Sequence, residues 1–186
     1  MAMHGVVSIL DSSTYSKVKA VWSTLQAECG LRAIWEVPFP HFSWHLAKSY
    51  DFENLQVKLR ELALEVEPFE ATANGLGIFT GELPVIYLPV VRSPRLTTVH
   101  QMLWDCTMAD GFAFSRLYAP KDWVPHITLA NHDVDGEGLA CVLRTLGKRK
   151  LRWRIQVDNF AIILHEDGRP GQIHSKYPFQ GQNRGK

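Results

Sequence analysis

Two stretches of the sequence repeat one pattern: a proline, a histidine, an apolar residue and then a serine or threonine. They read P-H-F-S-W and P-H-I-T-L, and both are typical of strands. Successive side chains of a strand point to opposite faces, so His41 and Ser43 (motif 1) should share one face, as should His126 and Thr128 (motif 2). For either motif alone, the other interpretation is a histidine buried in the core with its hydrogen bonds made to other core groups. Occurring twice, the pattern indicates that these polar faces border a cleft.

The two motifs suggest an internal duplication, because their histidines lie 85 positions apart. At the same offset, Asn74 aligns with Asn159. Such matches are sparse, but together with the motifs they predict one domain over residues 1–186, built from two lobes of similar plan. The polar residues from about 180–186 are predicted to be a frayed tail.

Strand and helix signals alternate along the chain. Four helices are predicted, each with a capping residue at its start: Ser12 or Ser13, Asp51, Ser93 and Asp135. Strands are predicted at both motifs and at 6–10, 85–91, 151–157, 159–165 and around Ile173, with a loop over 110–123 and a turn at Asp167 and Gly168. This order predicts an α+β fold of two lobes, with mainly antiparallel sheets, outer helices and a central groove that carries both motifs.

Charge and cysteine content restrict the class of protein. The net charge of +1 gives no large field of one sign, and no apolar run approaches the roughly 20 residues that span a bilayer. Three cysteines without a C-x-x-C spacing argue against a disulfide framework or a zinc ribbon: Cys29, Cys106 and Cys141. We therefore expect a reduced, cytoplasmic protein with no secretory signal, no membrane association and no obligate protein partner.

Two H-x-[ST] motifs at this spacing, each after a proline, resemble the 2H phosphoesterase superfamily. Within it, the likeness is strongest to the branch of 2'-5' RNA ligases and cyclic phosphodiesterases. Ser43 stands where threonine is commoner but keeps the hydroxyl, and Trp44 stands where an aliphatic residue is commoner. The resemblance implies a bilobal fold whose motifs face each other across a groove, and metal-independent chemistry on a phosphodiester.

The residues of the motifs can support this chemistry by themselves. Opening a cyclic phosphodiester requires a base that activates water and an acid that protonates the leaving oxygen, and imidazole can do either near neutral pH. His41 and His126 are therefore the predicted catalytic pair. Ser43 and Thr128 are predicted to donate hydrogen bonds to the phosphate oxygens, so no cofactor is expected.

Other histidines leave alternatives open. His45 shares the strand parity of His41, so it should either line the groove or be a polar residue near the strand end. An alternative is a metal site, although no carboxylate or cysteine lies nearby at ligand spacing. Its ligands would be His41, His45, His126 and His132. Three more histidines are predicted to be surface residues: His100, His165 and His174.

Further substrate contacts are predicted in two regions. Arg152 and Arg154 form one face of a strand in the basic run 144–156, and they could meet a substrate phosphate or the RNA backbone if that face borders the groove. For the rest of the run, a solvated turn is favoured. Three aromatic residues near the motifs are candidates to stack on a base, with core packing as the alternative for each: Phe39, Tyr118 and Trp123.

The sequence thus predicts an enzyme that opens 2',3'-cyclic phosphates of nucleotides or RNA ends by acid–base catalysis with two histidines. One alternative is an enzyme that cleaves or forms 2'-5' linkages or acts on another cyclic phosphate. The other is a module that binds RNA ends with little catalysis. Two complete acid–base motifs disfavour the module, because binding requires no proton transfer.

Overall fold

The computed structural model describes residues 3–166 and 169–181. Its helices are α1 (Ser12–Cys29), α2 (Phe52–Glu65), α3 (Pro94–Thr107) and α4 (Gly136–Leu146). Its strands are β1 (His4–Ile9), β2 (His41–Tyr50), β3 (Phe69–Asn74), β4 (Gly77–Phe79), β5 (Val85–Pro89), β6 (Gly111–Phe114), β7 (His126–Ala130), β8 (Arg152–Val157), β9 (Asn159–Leu164) and β10 (Gln172–Pro178). The predicted turn at Asp167 and Gly168 lies outside the described residues, as does the tail at 182–186.

Eight strands form one sheet, in the order β10-β9-β1-β2-β7-β5-β4, with β6 paired to the C-terminal half of β2. Strands β3 and β8 form a separate two-stranded sheet. Every pair of strands in both sheets is antiparallel. The predicted α+β class with mainly antiparallel sheets is therefore confirmed.

The two motif strands lie side by side in the middle of the large sheet. Their register contains a single pair, Phe42 opposite Ile127. Beyond motif 1 the sheet continues through β1, β9 and β10, and beyond motif 2 it continues through β5 and β4. The motifs thus meet where two groups of strands join, while the division into two lobes of similar plan stays a prediction.

The apolar faces of both motifs are buried, as their alternation predicts. Phe42, Trp44, Ile127 and Leu129 are at most 1% exposed and belong to one core cluster. That cluster also contains the inward residues of all four helices. The polar faces of the motifs are left on the side of the sheet away from this core, because strand side chains alternate.

The helix starts follow the predicted caps with one correction. Asp51, Ser93 and Asp135 cap α2, α3 and α4. Helix α1 is capped by Asp11 instead of Ser12 or Ser13, because the Asp11 carboxylate accepts the Thr14 backbone N–H at 3.0 Å. No helix among the described residues combines the length and the apolar character needed to cross a membrane.

The predicted loop over 110–123 contains regular structure. Strand β6 pairs with the end of β2, and a short 3-10 helix follows at Arg116–Tyr118. Ala113 within β6 has a positive φ of 53°, which few residues other than glycine adopt. Strand β6 has only four residues and is irregular at its centre. It therefore lacks the alternation of polar and apolar residues that would indicate a strand in the sequence.

Two of the three cysteines form a disulfide, which corrects the prediction of a reduced protein without one. Cys29 at the end of α1 is bonded to Cys141 in α4, with their Cα atoms 5.7 Å apart. They are 112 positions apart in sequence, so no local spacing could reveal the pair. Cys106 is a free thiol whose pKa is raised by burial to about 11.

Candidate active site

The polar faces of both motifs line one groove. His41, Ser43, His126 and Thr128 all border a cavity of about 190 Å³. A second cavity of about 610 Å³ adjoins it, and both motif 2 residues line the two cavities. These two cavities are called the groove below. The structure therefore brings together the four residues for which catalytic and phosphate-binding roles were predicted.

Each motif histidine is oriented by a backbone carbonyl two residues before it. Nδ1 of His41 lies 2.6 Å from the Phe39 carbonyl oxygen, and Nδ1 of His126 lies 2.7 Å from that of Val124. A carbonyl oxygen can only accept, so Nδ1 carries the proton in both rings. The same nitrogen, Nε2, is left in both rings to accept or deliver a proton.

Burial lowers the pKa of both motif histidines below the ordinary value of 6.5. For His41, the charge on His126 lowers the pKa further, while the hydrogen bond to the Phe39 carbonyl opposes the shift. For His126, the bond to the Val124 carbonyl opposes the effect of burial. Because a charge on one ring disfavours a charge on the other, the two histidines titrate as a coupled pair.

A β-bulge interrupts motif 1 directly after its hydroxyl residue. Val7 of β1 pairs with Ser43, but Val6 pairs with His45, so Trp44 is an extra residue in β2. The extra residue shifts the alternation of faces by one. Trp44 and His45 are consequently both buried, and Leu46 returns to the groove.

Motif 2 has the same bulge at the equivalent position. Tyr87 of β5 pairs with Thr128 and Ile86 pairs with Ala130, so Leu129 is the extra residue. Asn131, the fifth residue after the motif histidine, thereby joins the groove, as Leu46 does in motif 1. Strict alternation places Asn131 on the face opposite to His126 and Thr128. The sequence therefore did not identify it as a residue of the groove.

The prediction that His45 lines the groove is wrong, because the bulge turns it into the core. It is fully buried, with Nδ1 2.9 Å from the Tyr50 hydroxyl and Nε2 2.8 Å from the Thr107 hydroxyl. The alternative metal site required His45 beside the two motif histidines, and that grouping does not form. Across residues 3–166 and 169–181, no three metal-binding side chains are grouped to hold an ion.

The prediction that Trp123 stacks on a base is also wrong, since its ring is buried against His100 with 3.8 Å between ring centroids. Its indole nevertheless serves the site. Trp123 Nε1 donates to the Ser43 carbonyl at 3.0 Å, and Trp22 Nε1 of α1 donates to the Thr128 carbonyl at 3.1 Å. Two tryptophans thus fix the backbone of the two hydroxyl residues.

Tyr118 borders both cavities of the groove, while its stacking on a base stays a prediction. Burial raises the pKa of its phenol to about 12, and a hydrogen bond with the Ser43 side chain opposes that shift. The phenol is therefore protonated at neutral pH and can donate a hydrogen bond beside motif 1.

Three other predicted substrate contacts lie outside the groove. Arg152 and Arg154 are exposed on β8, which pairs with β3 in the separate sheet, and Arg154 lies 3.7 Å from Glu70. The Phe39 ring packs against a small apolar cluster that includes Val7, so only its carbonyl serves the site. The prediction for Arg152 and Arg154 assumed that the polar face of their strand borders the groove, which is wrong for β8. Phe39 precedes the first residue of β2, so its parity with His41 does not fix the direction of its ring.

Two of the histidines assigned to the surface lie elsewhere. His100 is buried, and its Nε2 donates to the Trp44 carbonyl at 3.0 Å. His165, just after β9, lines the smaller cavity together with the motif residues. Only His174 of the three is exposed as predicted.

The buried histidines predict a loss of stability in acid. Burial lowers the pKa of His45 to about 3 and that of His100 to about 4, so both are neutral in the folded protein. The unfolded chain binds these protons near pH 6.5, so the free energy of unfolding should fall as pH falls from 6.5 toward 4. Each such group contributes a slope of up to about 1.4 kcal/mol per pH unit.

Urea unfolding at several pH values measures this slope. His45→Gln keeps hydrogen-bonding capacity but cannot titrate. The free energy of unfolding of this variant should therefore depend less steeply on pH between 6.5 and 4, by up to about 1.4 kcal/mol per pH unit, the contribution of one proton. Equal slopes for the wild type and the variant would show that His45 is not a buried neutral imidazole.

Comparison with known protein families gives a match over most of the chain. A family model described as the 2'-5' RNA ligase superfamily matches residues 16–169. A Bacillus cytotoxicus protein named "Putative phosphoesterase" is 26% identical over 132 residues, which cover 70% of this chain and 72% of that protein. An Oceanobacillus iheyensis protein of the same description is 24% identical over 141 residues, covering 74% and 78%.

Solved structures share the fold over almost the whole chain. E. coli LigT in its apo form has a TM-score of 0.64 at 14% identity, covering 96% of this chain and 97% of that chain. E. coli LigT complexed with 3'-AMP has a TM-score of 0.56 at 15% identity, covering 96% and 98%. Usb1 of Kluyveromyces marxianus has a TM-score of 0.51 at 10% identity, covering 95% and 97%.

Proposed function

The chain belongs to the 2'-5' RNA ligase superfamily of 2H phosphoesterases, and from this premise we propose that it is a metal-independent phosphodiesterase that opens 2',3'-cyclic phosphates of nucleotides or RNA ends. One observation carries the proposal. Two imidazoles, each with Nδ1 bonded to a carbonyl, border one groove and leave Nε2 free for proton transfer. A substrate between them would meet a base on one side and an acid on the other.

The proposed step transfers one proton at each histidine. Neutral Nε2 of one ring accepts a proton from a water molecule, whose oxygen attacks phosphorus. The bond from phosphorus to one ribose oxygen breaks, and the protonated second ring gives its Nε2 proton to that oxygen. The products are a ribose hydroxyl and a phosphomonoester. The pair still carries a single Nε2 proton, which now lies on the ring that acted as base.

Ser43 and Thr128 are proposed to bind the non-bridging phosphate oxygens. A hydroxyl group can donate to such an oxygen, and its bond strengthens as negative charge develops there during attack. The carbonyls of both residues are already held by Trp123 and Trp22. The backbone under each hydroxyl is thus positioned before the substrate arrives, which lowers the cost of reaching the transition state.

The larger cavity is proposed to hold the nucleoside. Its volume of about 610 Å³ is in the range of small-molecule sites, and Phe79 and Leu117 give it apolar walls. Phe79 also packs edge-on against the His126 ring, with 4.9 Å between centroids. A base in this cavity would lie next to the motif 2 histidine. The solved complex of E. coli LigT with 3'-AMP supports a nucleotide as the ligand.

A substrate panel tests the proposed function. The purified protein is incubated with nucleoside 2',3'-cyclic phosphates, RNA ending in a 2',3'-cyclic phosphate, and 2'-5' dinucleotides, and products are resolved as 2'- or 3'-phosphates. We expect turnover of a cyclic phosphate. Turnover of the 2'-5' dinucleotide alone would favour the linkage-cleaving enzyme, and binding of cyclic-ended RNA without any turnover would favour the RNA-end binding module.

Activity should persist in excess EDTA, because the motif residues themselves supply the base, the acid and the oxyanion donors. The measurement compares initial rates on a cyclic nucleotide before and after extended incubation with the chelator. A rate that falls in EDTA and returns with zinc or manganese would contradict the proposal of a metal-independent reaction.

A further inference from the structure

A basic run follows the end of α4 and continues into β8. Residues 144–154 contain six of the chain's 20 lysines and arginines and none of its 19 aspartates and glutamates. All six cations are exposed: Arg144, Lys148, Arg149, Lys150, Arg152 and Arg154. The positive charge is thus concentrated at one place on a protein whose net charge is only +1.

Three of these cations line one cavity of about 390 Å³, which is named the basic cavity below. Arg149, Lys150 and Arg152 are its charged residues, and none of the described carboxylates lines it. Asn74, which pairs with Arg152 across the two-stranded sheet, adds an uncharged polar group to the wall. The cavity is therefore concave, exposed to solvent and positive, as a site for an anion requires.

The cations of the basic cavity have no acidic partner within residues 3–166 and 169–181. Arg154, outside the cavity, lies 3.7 Å from Glu70, whereas Arg149, Lys150 and Arg152 form no ion pair with any described residue. Like charges held close together repel each other. A bound anion would relieve this repulsion, and arginine can bind phosphate with two parallel hydrogen bonds.

The basic cavity adjoins the groove through β4. Leu76 lines the basic cavity, and Ile78, two residues later, lines the larger cavity of the groove. Two residues of extended chain span at most about 7 Å, so the Cα atoms of the two walls are no farther apart than that. A polymer that leaves the larger cavity past β4 would meet the basic cavity next.

The groove itself offers no fixed cation to such a polymer. In the described part of the chain, neither of its two cavities is lined by a lysine or an arginine. Each further nucleotide of an RNA adds one phosphate, and contacts of lysine and arginine with these phosphates supply most of the affinity that is independent of sequence. Cations that bind a longer ligand must therefore lie beyond the groove.

We infer that the basic cavity binds the phosphodiester backbone of single-stranded RNA whose 3' end lies in the groove. The inference rests on the proposed function, because it requires the terminal nucleoside in the larger cavity. The 5' oxygen of that nucleoside leads to the rest of the RNA, which passes β4 and places its phosphates against the three cations. An RNA end, more than a free cyclic nucleotide, is then the ligand that this surface fits.

The surface fits a membrane less well. None of the large apolar side chains that the described structure exposes lies in residues 148–154. Proteins that lie on a membrane surface bury apolar side chains in it in addition to presenting cations. An acidic polypeptide would match the charge, but the adjoining groove is the proposed nucleotide site, and this continuity favours RNA.

A triple variant that removes the three charges tests the inference. Arg149→Gln, Lys150→Gln and Arg152→Gln are combined at exposed positions, so the fold should survive, and circular dichroism checks it. Fluorescence anisotropy measures binding of a labelled RNA hexanucleotide that ends in a 3'-phosphate and needs no turnover. Each lost phosphate contact lowers the slope of log Kd against log salt concentration by about 0.7, so the slope should fall by roughly 2 and the affinity at about 100 mM salt at least tenfold.

The control variant removes three charges elsewhere. Lys48→Gln, Arg60→Gln and Lys176→Gln are also exposed and line neither the groove nor the basic cavity. This variant should bind the hexanucleotide as the wild type does. A second readout is the ratio of kcat/KM on a hexanucleotide ending in a 2',3'-cyclic phosphate to that on a cyclic mononucleotide, which should fall at least about tenfold in the basic-cavity variant only.

Unchanged affinity and salt dependence in the basic-cavity variant, or an equal loss in the control variant, would overturn the inference. So would binding of polyglutamate or of phosphatidylserine vesicles that the variant loses while it keeps RNA binding. Failure of the proposed function gives a different result. In that case the wild type turns over no cyclic phosphate, and loss of RNA binding in the basic-cavity variant alone still supports the surface as the RNA contact.

Discussion

His41→Ala and His126→Ala should each lower kcat on a 2',3'-cyclic nucleotide by about 10²–10⁴-fold. Each change removes a ring that borders the groove and whose Nε2 is proposed to give or take the proton. Both side chains are only half-buried, so the fold should survive. Steady-state kinetics together with circular dichroism distinguish loss of catalysis from loss of structure.

The double variant and a control histidine sharpen this prediction. Removing both rings should cost less than the product of the two single losses, because the residues act as one unit. His174→Ala removes an exposed imidazole that lines neither cavity, and its kcat should match the wild type. If either motif variant kept more than about half of the activity, the paired acid–base mechanism would be wrong.

Thr128→Val and Ser43→Ala should each lower kcat by about ten- to a hundredfold. Each would delete one proposed charge-assisted hydrogen bond to phosphate, and such a bond contributes about 1.5–3 kcal/mol. Thr128→Val conserves shape, and the Trp22 bond to the Thr128 carbonyl does not depend on the side chain. The effect should therefore come from the hydroxyl alone.

A matched substitution outside the groove tests that assignment. Thr72→Val makes the same exchange on β3, in the separate two-stranded sheet, and should leave kcat unchanged. An unchanged rate for Thr128→Val would mean that its hydroxyl is only a strand residue. In that event the Thr128 hydroxyl does not donate to the phosphate.

The alternation of residues in the sequence predicted which motif side chains face the groove, but it did not predict the bulges at which the alternation reverses. His41, Ser43, His126 and Thr128 face the groove as alternation requires. One residue later, a bulge in each strand reverses the alternation, which buries His45 and exposes the position of Asn131 to the groove. A bulge is set by the pairing of two strands, and neither motif contains a local signal for it.

Contacts between distant segments could not be predicted from the sequence either. Arg152 and Arg154 have clean strand alternation, but β8 pairs with β3 away from the large sheet, so their face never meets the groove. Trp123 was a candidate to stack on a base, yet it packs in the core and donates to Ser43, 80 positions away. Both outcomes depend on which elements become neighbours, and a single sequence does not encode that in any local pattern.

The pH dependence of kcat/KM tests the central claim, that two coupled histidines act as base and acid. Below both pKa values neither ring is a base, and above both values neither is an acid, so only the singly protonated pair reacts. Because burial lowers the pKa of both rings below 6.5, the profile should be bell-shaped with its maximum on the acidic side of 6.5. Measured under conditions where chemistry limits the rate, two limbs with that maximum are the predicted result. A flat profile, or one with a single limb, would contradict the two-histidine mechanism.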